Sequence, residues 1–107
     1  MNRNFAFFDA PHAAFLFLPA ALGVREAVDV GIYGQTLMLL LAAHGIASCA
    51  QGALSHYAGI VHRTLNVPAD EILLFGIAFG YEDRSHPANT TRTDRAPLGE
   101  AVVFHRV

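Results

Sequence analysis

The stretch GIASCAQGALSHY, residues 45–57, combines small residues, one cysteine and a glutamine–glycine pair without any formal charge. Gly45 alone would serve to turn the chain here, so the second glycine, Gly52, requires a reason of its own. One such reason is the close approach of the backbone to something flat, such as a ligand. The pattern therefore makes Gly52 the first candidate for a binding site.

Cys49 lies in the same stretch, with His44 and His56 nearby in the sequence as candidate bases for a thiol nucleophile. No neighbouring residue suggests an acid for the third role of such a system. We therefore interpret Cys49 as a small apolar residue that is buried in the fold.

The histidines do not predict a metal site. No two of them are three or four residues apart, and a single cysteine cannot form a cysteine pair, so the spacing typical of zinc ligands is missing. Several are more simply explained as residues at the ends of elements. The six positions are His12, His44, His56, His62, His86 and His105.

The charge balance excludes a strongly basic binding surface. The net charge is -2, all seven cationic residues are arginines, and 53% of the chain is apolar against 15% charged. These values give no field that would collect nucleic acid, and the apolar excess suggests that a partner covers part of the surface. One cysteine cannot form an internal disulfide, so we expect a reducing, cytoplasmic location.

The hydrophobic pattern predicts four principal elements. A buried strand is expected over His12–Pro19 and a long helix from Val24 to Gly45, its C-terminal half central to a core. A second helix follows within SHYAGIVHRTL, and the strongest strand runs from Ile72 to Tyr81. The phenylalanines have strand spacing, which favours core positions for Phe8, Phe15, Phe17, Phe75 and Phe79.

Glycines inside these elements predict close packing. Gly31 and Gly34 lie within the long helix, where another backbone, such as a second helix, would compensate for their low helix propensity. Gly76 and Gly80 mark places where something passes close to the sheet.

The C-terminal part of the chain is polar up to Gly99 and then ends in EAVVFHRV, which we expect to form one more strand. The intervening arm, residues 82–99, has no apolar anchors of its own. An arm of this length commonly reaches another subunit.

We do not expect a signal peptide or a membrane span. The N-terminal MNRNFAFFDAPH lacks a continuous apolar core. Residues 30–60 contain no Asp, Glu, Lys or Arg, but polar residues interrupt the run and its unbroken apolar part is only Leu37–Ala43. A helix surrounded by protein is the better interpretation.

With its elements in this order, the chain resembles the C-terminal half of the FMN-dependent nitroreductase family. The resemblance rests on APHAAFLFLP, VGIYGQTLMLLLAAHGIASCAQGALSHY, VPADEILLFGIAFGYED and RTDRAPLGEAVVFHR. It implies an α+β fold, an α-β-α sandwich with a mixed, mostly antiparallel sheet. It also implies a homodimer with FMN at the subunit interface, the long helix at the dimer contact, and a C-terminal arm that adds a strand to the partner's sheet.

The resemblance also implies site residues. Ala50, Gln51 and Gly52 match the family's turn against the flavin ring, where a bulky side chain would hold the ring away. Arg95, with Arg92 as second choice, matches the basic position that helps to hold the FMN phosphate, a role that suits a guanidinium. The alternatives are a packing turn at Gly52 and solvated arginines in the arm. No catalytic acid or base is assigned.

Residues 1–107 are accordingly expected to be the C-terminal half of a single nitroreductase-like domain, since the family's preceding half, with its arginine–serine phosphate segment, has no counterpart here. The function implied is hydride transfer from NAD(P)H through FMN to a nitroaromatic, quinone or similar acceptor. The alternative is a non-catalytic remnant that acts only as a dimerisation module. The physiological acceptor, and the choice between NADH and NADPH, are not readable from these residues.

Overall fold

The computed structural model describes residues 3–106, so the first two residues and the last residue of the expected domain lie outside it. The helices are α1 (Val24–Ala43), α2 (Ala58–Leu65) and α3 (Leu98–Ala101), and the strands are β1 (His12–Pro19), β2 (Ala47–Gln51) and β3 (Glu71–Gly80). Short 3₁₀ segments span Arg3–Asp9, Gly52–Tyr57 and Pro87–Thr90. The predicted strands around residues 12–19 and 72–81 and both predicted helices are confirmed.

The three strands form one sheet in the order β1-β3-β2, with both pairs antiparallel. β3 is central because its residues are the most continuously apolar, and its neighbours can then bury it from both edges. Leu16 of β1 pairs with Phe75 along one edge of β3, and Cys49 of β2 pairs with Ala78 along the other edge. This arrangement leaves β2 at an edge of the sheet.

Helical segments cover both faces of the sheet. A Cβ atom on Gly34 of α1 would lie 2.7 Å from Cζ of Phe75, whereas a Cβ atom on the next strand residue, Gly76, would lie 2.5 Å from Cδ1 of Leu54. Successive strand residues face opposite sides, so α1 and the 3₁₀ segment with Leu54 cover opposite faces. The α-β-α layering predicted from the sequence is confirmed.

The core is small and centres on β3. Ile77 is fully buried at 0% exposure, and the other buried apolar side chains surround it on both faces. They are Leu16, Leu18, Leu54, Leu73 and Ala78. Phe15, Phe17, Phe75 and Phe79 are only half-buried, and the prediction of a core position was wrong for Phe8, which is exposed.

The prediction that the C-terminal half of α1 is central to a core was wrong within this chain. Gly34 is the only buried residue of α1, and Leu39 and Leu40 are 62% and 57% exposed. One helix on a three-stranded sheet can bury only the face that meets the sheet. Within residues 3–106, α1 is the one helix long and apolar enough to cross a membrane, by length and composition alone, which is weak support for a span.

The glycine predictions were right in part. Gly34 is held by the Phe75 ring rather than by another backbone, and Gly31 has no atom within 4 Å of a built Cβ. Gly76 lies against Leu54 and the Ala14 carbonyl oxygen, and a Cβ atom added at Gly80 would lie 2.7 Å from Cδ of Pro11. Close approach to the sheet is confirmed at both strand positions.

The predicted final strand over residues 100–107 does not form in this chain. Residues 98–101 are the short α3, and residues 102–106 have no regular structure, with Val103 and Phe104 strongly exposed. Val102 has extended dihedrals, φ -131° and ψ 132°. A strand requires a hydrogen-bonded neighbour, and none of the described strands pairs with these residues.

Candidate functional site

The segment proposed for ligand contact is a strand and its exit, not a turn. Residues 47–51 form β2, and the chain then enters the 3₁₀ segment Gly52–Tyr57. The sequence ASCAQ contains no β-branched or aromatic residue, so it lacks the usual strand signal. The expectation of a turn at Ala50, Gln51 and Gly52 was wrong for this reason.

Gly52 is not required by the packing of this chain. A Cβ atom built on it meets nothing within 4 Å, and its φ lies outside the left-handed region. Gly45, by contrast, has φ 73° and supplies the turn after α1. The packing-turn explanation of Gly52 therefore finds no support among the described residues, whereas Ala50 and Gly52 present open, exposed backbone.

Gln51 faces inward, between two exposed neighbours. It is 2% exposed, and its Nε2 atom donates hydrogen bonds of 2.6 Å to both the backbone oxygen and Oδ1 of Asn4. Its Oε1 atom is buried and has no hydrogen-bond partner among the described residues. A ligand on the exposed side of β2 would therefore meet the backbone of residue 51 and not its side chain.

A cavity of about 760 Å³ adjoins the other end of β2. Its walls include Ala47, Ser48 and Cys49, the end of β3, and the segments at residues 7–11 and 81–92. This volume lies in the range of small-molecule sites. Residues 50–52 do not line the cavity, so a ligand that occupied it and also contacted them would have to extend along β2.

The two candidate phosphate ligands are placed differently. Arg92 lines this cavity, and its Nη1 atom donates to the backbone oxygens of Asn89 and Thr91 at 2.8 and 3.0 Å. Arg95 is not among the lining residues, and its Nη1 atom donates to Thr93 and to the backbone oxygen of Asp94. The structure therefore places Arg92, the second choice, at the cavity, whereas Arg95 contacts its neighbours Thr93 and Asp94 in the C-terminal segment.

Charged groups at the cavity are already engaged with one another. Arg3 forms an ion pair with Asp9 and a 3.0 Å hydrogen bond with His86. Hydrogen bonds from the side chain and the backbone N–H of Ser85 hold the pKa of Asp83 below its ordinary value. The Arg92 guanidinium therefore differs from Arg3 in having only backbone carbonyl partners.

Cys49 is exposed, which contradicts the prediction that it is buried. Its side chain lines the cavity because β2 is an edge strand with little covering it from this chain. Among residues 3–106 no group of three or more His, Cys, Asp or Glu side chains is arranged to hold a metal ion.

Comparison with known proteins identifies the family. The model of the nitroreductase family matches residues 1–81. The chain belongs to the nitroreductase family. Nitroreductase NfnB of Mycolicibacterium smegmatis is 50% identical over 105 residues, which are 98% of this chain and 44% of the relative. A 4-nitrobenzoate reductase of Nocardioides sp. is 31% identical over 96% of this chain and 42% of its own length.

A solved structure agrees with the fold. The FMN-dependent nitroreductase NfnB from Mycobacterium smegmatis, in complex with NADPH, superposes with a TM-score of 0.94 at 48% identity. The match covers 97% of this chain and 46% of that one. The chain thus spans less than half the length of the relatives it matches.

The residues present offer contacts for both the ring and the phosphate of an FMN molecule. Ala50 and Gly52 are exposed and carry at most a methyl group, and a Cβ atom at residue 52 would meet nothing, so a flat ring has room there. At the phosphate end, Arg92 is the cationic group that the cavity offers with no carboxylate partner among the described residues. We therefore expect this chain to supply the ring contact and part of the phosphate contact.

Sequence reasoning missed one residue of this site and the orientation of another. Asn4 was not considered, because a lone asparagine near the N-terminus carries no motif and its link to Gln51 joins residues 47 positions apart. The orientation of Gln51 was also missed, since it follows from the alternation of a strand that the sequence did not predict.

Proposed function

We propose that this chain is part of an FMN-dependent oxidoreductase of nitroreductase type. It would transfer hydride from NAD(P)H through FMN to a nitroaromatic, quinone or similar acceptor, as a homodimer in the cytoplasm. The relatives support the substrate class, since one is a 4-nitrobenzoate reductase and a solved relative is FMN-dependent and in complex with NADPH. Residues 1–107 would form the C-terminal half of the domain.

The observation that carries this proposal is the open space at Gly52. Glycine occupies a position where neither a left-handed φ nor a close contact among the described residues demands it. A ligand ring lying on the backbone of Ala50, Gln51 and Gly52 would supply the missing reason. Contact with residue 51 would be through the backbone, because its side chain is turned to Asn4.

Bound FMN would accept hydride from the reduced nicotinamide and pass it to the acceptor. The chain's contribution is position and electrostatics. The N–H groups at the start of the 3₁₀ segment Gly52–Tyr57 favour negative charge nearby, and Arg92 or Arg95 can meet phosphate oxygens through its planar fork. No side chain is assigned as general acid or base.

The homodimer is supported by the exposed area. The chain exposes 8330 Å², whereas a folded monomer of 11.5 kDa exposes about 5,800 Å². Its radius of gyration, 16.7 Å, also exceeds the roughly 13 Å of a compact domain of this length. The remaining half of the domain and a second subunit would together cover this excess of about 2,500 Å² per chain.

The exposed face of α1 is the surface that we propose for the dimer contact. Its apolar side chains lie on the sides of the helix turned away from the sheet, and they include Val28, Ile32, Tyr33, Leu39 and Leu40. Gly31, which has open space within the chain, would let a partner helix approach.

The proposal is tested by purifying the chain with added FMN, alone and together with the remaining half of the M. smegmatis relative. We expect flavin absorbance to co-purify with the completed domain, and NADPH to reduce a nitroaromatic acceptor through it. A completed domain that folds without retaining flavin would reject the enzymatic proposal and support the dimerisation module.

A further inference from the structure

We propose that Gln51 is a positioning residue that ties the end of β2 to the N-terminal segment Arg3–Asp9 and so fixes the backbone of residues 50–52. The inference deepens the proposed function, and its relevance to flavin rests on that function. Its structural content can be measured without any flavin.

Burial sets Gln51 apart from the rest of the chain. It is the one buried polar side chain in the part of the chain that the structure describes, and its Oε1 atom has no partner there. Burying an amide with one end unpaired is unfavourable, and a Leu or Met would fill the same space without that penalty. The presence of glutamine here is therefore explained by the hydrogen bonds that its Nε2 atom donates.

The orientation of the amide follows from its partner. Nε2 lies 2.6 Å from the backbone oxygen of Asn4, which can only accept a hydrogen bond, and 2.6 Å from Asn4 Oδ1. Both contacts use donated hydrogens, so the NH₂ group must face Asn4. A carboxylate at residue 51 would place negative charge beside these two oxygens.

The N-terminal segment needs such a tie because its backbone is strained. Phe7, Phe8 and Asp9 have φ values of 54°, 55° and 63°, a left-handed conformation that is unfavourable for non-glycine residues. Two edge-to-face aromatic contacts help to hold the segment. The ring centroids of Phe5 and Tyr57 are 4.8 Å apart, and those of Phe7 and Phe15 are 6.0 Å apart. The amide of Gln51 is the polar link to β2.

The location of the link gives it a role at the candidate site. Gln51 is the last residue of an edge strand, paired with Gly76, and the exposed backbone of Ala50 and Gly52 lies on either side of it. Edge strands fray most easily at their ends, because they have a neighbour on one side only. Holding the side chain of residue 51 therefore limits the motion of residues 50 and 52.

The test is peptide-level hydrogen exchange on the flavin-free 107-residue chain. Gln51→Met keeps the volume but removes both donated hydrogens, and Gln35→Met on the exposed surface of α1 is the matched control. We expect about tenfold faster exchange in peptides covering residues 3–9 and 47–52, with β1 unchanged. Wild-type exchange rates, or equal acceleration in β1, would overturn the positioning role.

A second variant separates hydrogen bonding from packing. Gln51→Glu can donate one hydrogen to Asn4 when its carboxyl is protonated, and none when it is ionised. The exchange rate of residues 47–52 in Gln51→Glu is divided by that in the control Gln35→Glu at the same pH. We expect this ratio to be near one at low pH and to rise as the pH rises. A difference that does not change with pH would contradict the proposal.

FMN titration of the same variants, in the completed domain, keeps the two proposals apart. Weaker FMN binding by Gln51→Met, with altered exchange, supports both. Altered exchange in a completed domain that binds no FMN in any form would reject the proposed function and leave the positioning role intact.

Discussion

Three glycines of this chain are held by close contacts, and Gly52 is not. Gly34, Gly76 and Gly80 each have a neighbouring atom within 2.7 Å of a built Cβ, whereas Gly52 has none within 4 Å. The first three can be explained by folding alone. Gly52, like Gly31 and Gly99, has no such contact, and a ring bound against residues 50–52 would give this position a reason of its own.

Gly52→Val should leave the fold intact and weaken FMN binding. The branched side chain has room within the chain but would occupy the space proposed for the ring, with an overpacking cost of about 1–3 kcal/mol. Thermal unfolding should be unchanged, while FMN titration of the completed domain should give a lower affinity. Gly99→Val is the control, since a Cβ at residue 99 also meets nothing. Normal FMN affinity in Gly52→Val would contradict the proposed contact between the flavin ring and residue 52.

The arginines give a second prediction at this scale. If either one anchors the FMN phosphate, its replacement by Ala should weaken retention by about 1.5–3 kcal/mol, with less effect on turnover at saturating flavin. The resemblance favours Arg95, whereas the cavity contains Arg92. Comparing FMN dissociation constants of Arg92→Ala and Arg95→Ala decides between them, and equal, unchanged affinities would remove both from the site.

Part of the candidate site was proposed from the sequence, for identifiable reasons. Gly52 was singled out from the residues themselves, whereas Ala50 was assigned through the family resemblance, and both assignments stay predictions. The inward orientation of Gln51 and its contact with Asn4 could not be predicted from the sequence. They depend on a strand with weak propensity and on a long-range hydrogen bond.

At the scale of elements, strong apolar runs were sufficient to predict individual helices and strands. Elements without such runs, or that need a pairing partner, were not predicted correctly. β1, β3 and α1 follow from runs of apolar residues bounded by prolines, glycines or charges. β2 was missed because small residues carry little strand signal. The predicted final strand is absent among the described residues, since no described strand pairs with residues 100–106.

The start of α1 gives a pH prediction. The carboxylate of Glu26 accepts a hydrogen bond of 2.8 Å from the N–H of Gly23, and this bond, followed by that from its own N–H, lowers the pKa of Glu26 below 4.5. A lowered pKa in the folded state means that the stabilisation is present above pH 4.5 and is lost as the pH falls through the folded-state value.

Glu26→Gln keeps an acceptor but does not titrate there. Its melting temperature should therefore fall less than that of the wild type between about pH 5.5 and pH 3. The measurement is circular dichroism melting across this range. Parallel curves for the two proteins would show that ionisation of Glu26 does not contribute to stability.

At the scale of the whole molecule, area and shape argue against an isolated monomer. The exposed face of α1 and the unpaired segment after α3 are both apolar surfaces without a neighbour in this chain. Such surfaces are usually covered by association. The composition predicted this, since 53% apolar residues exceed what a core of this size can bury.

Removal of residues 96–107 should affect assembly more than helix content. Residues 96–106 are exposed, so loss of the segment should leave α1 and α2 in place, whereas pairing with another subunit would be lost. Sedimentation and circular dichroism on the shortened and complete chains measure the two effects. Equal losses in both would contradict an exchanged arm.

Sedimentation velocity followed at the visible absorbance band of flavin tests the central claim most directly. We predict that the chain, completed with the remaining half of the domain and mixed with FMN, sediments as a dimer that carries the flavin signal. Flavin that remains unbound at the meniscus while the protein sediments as a folded dimer would contradict the claim that residues 50–52 belong to an FMN site.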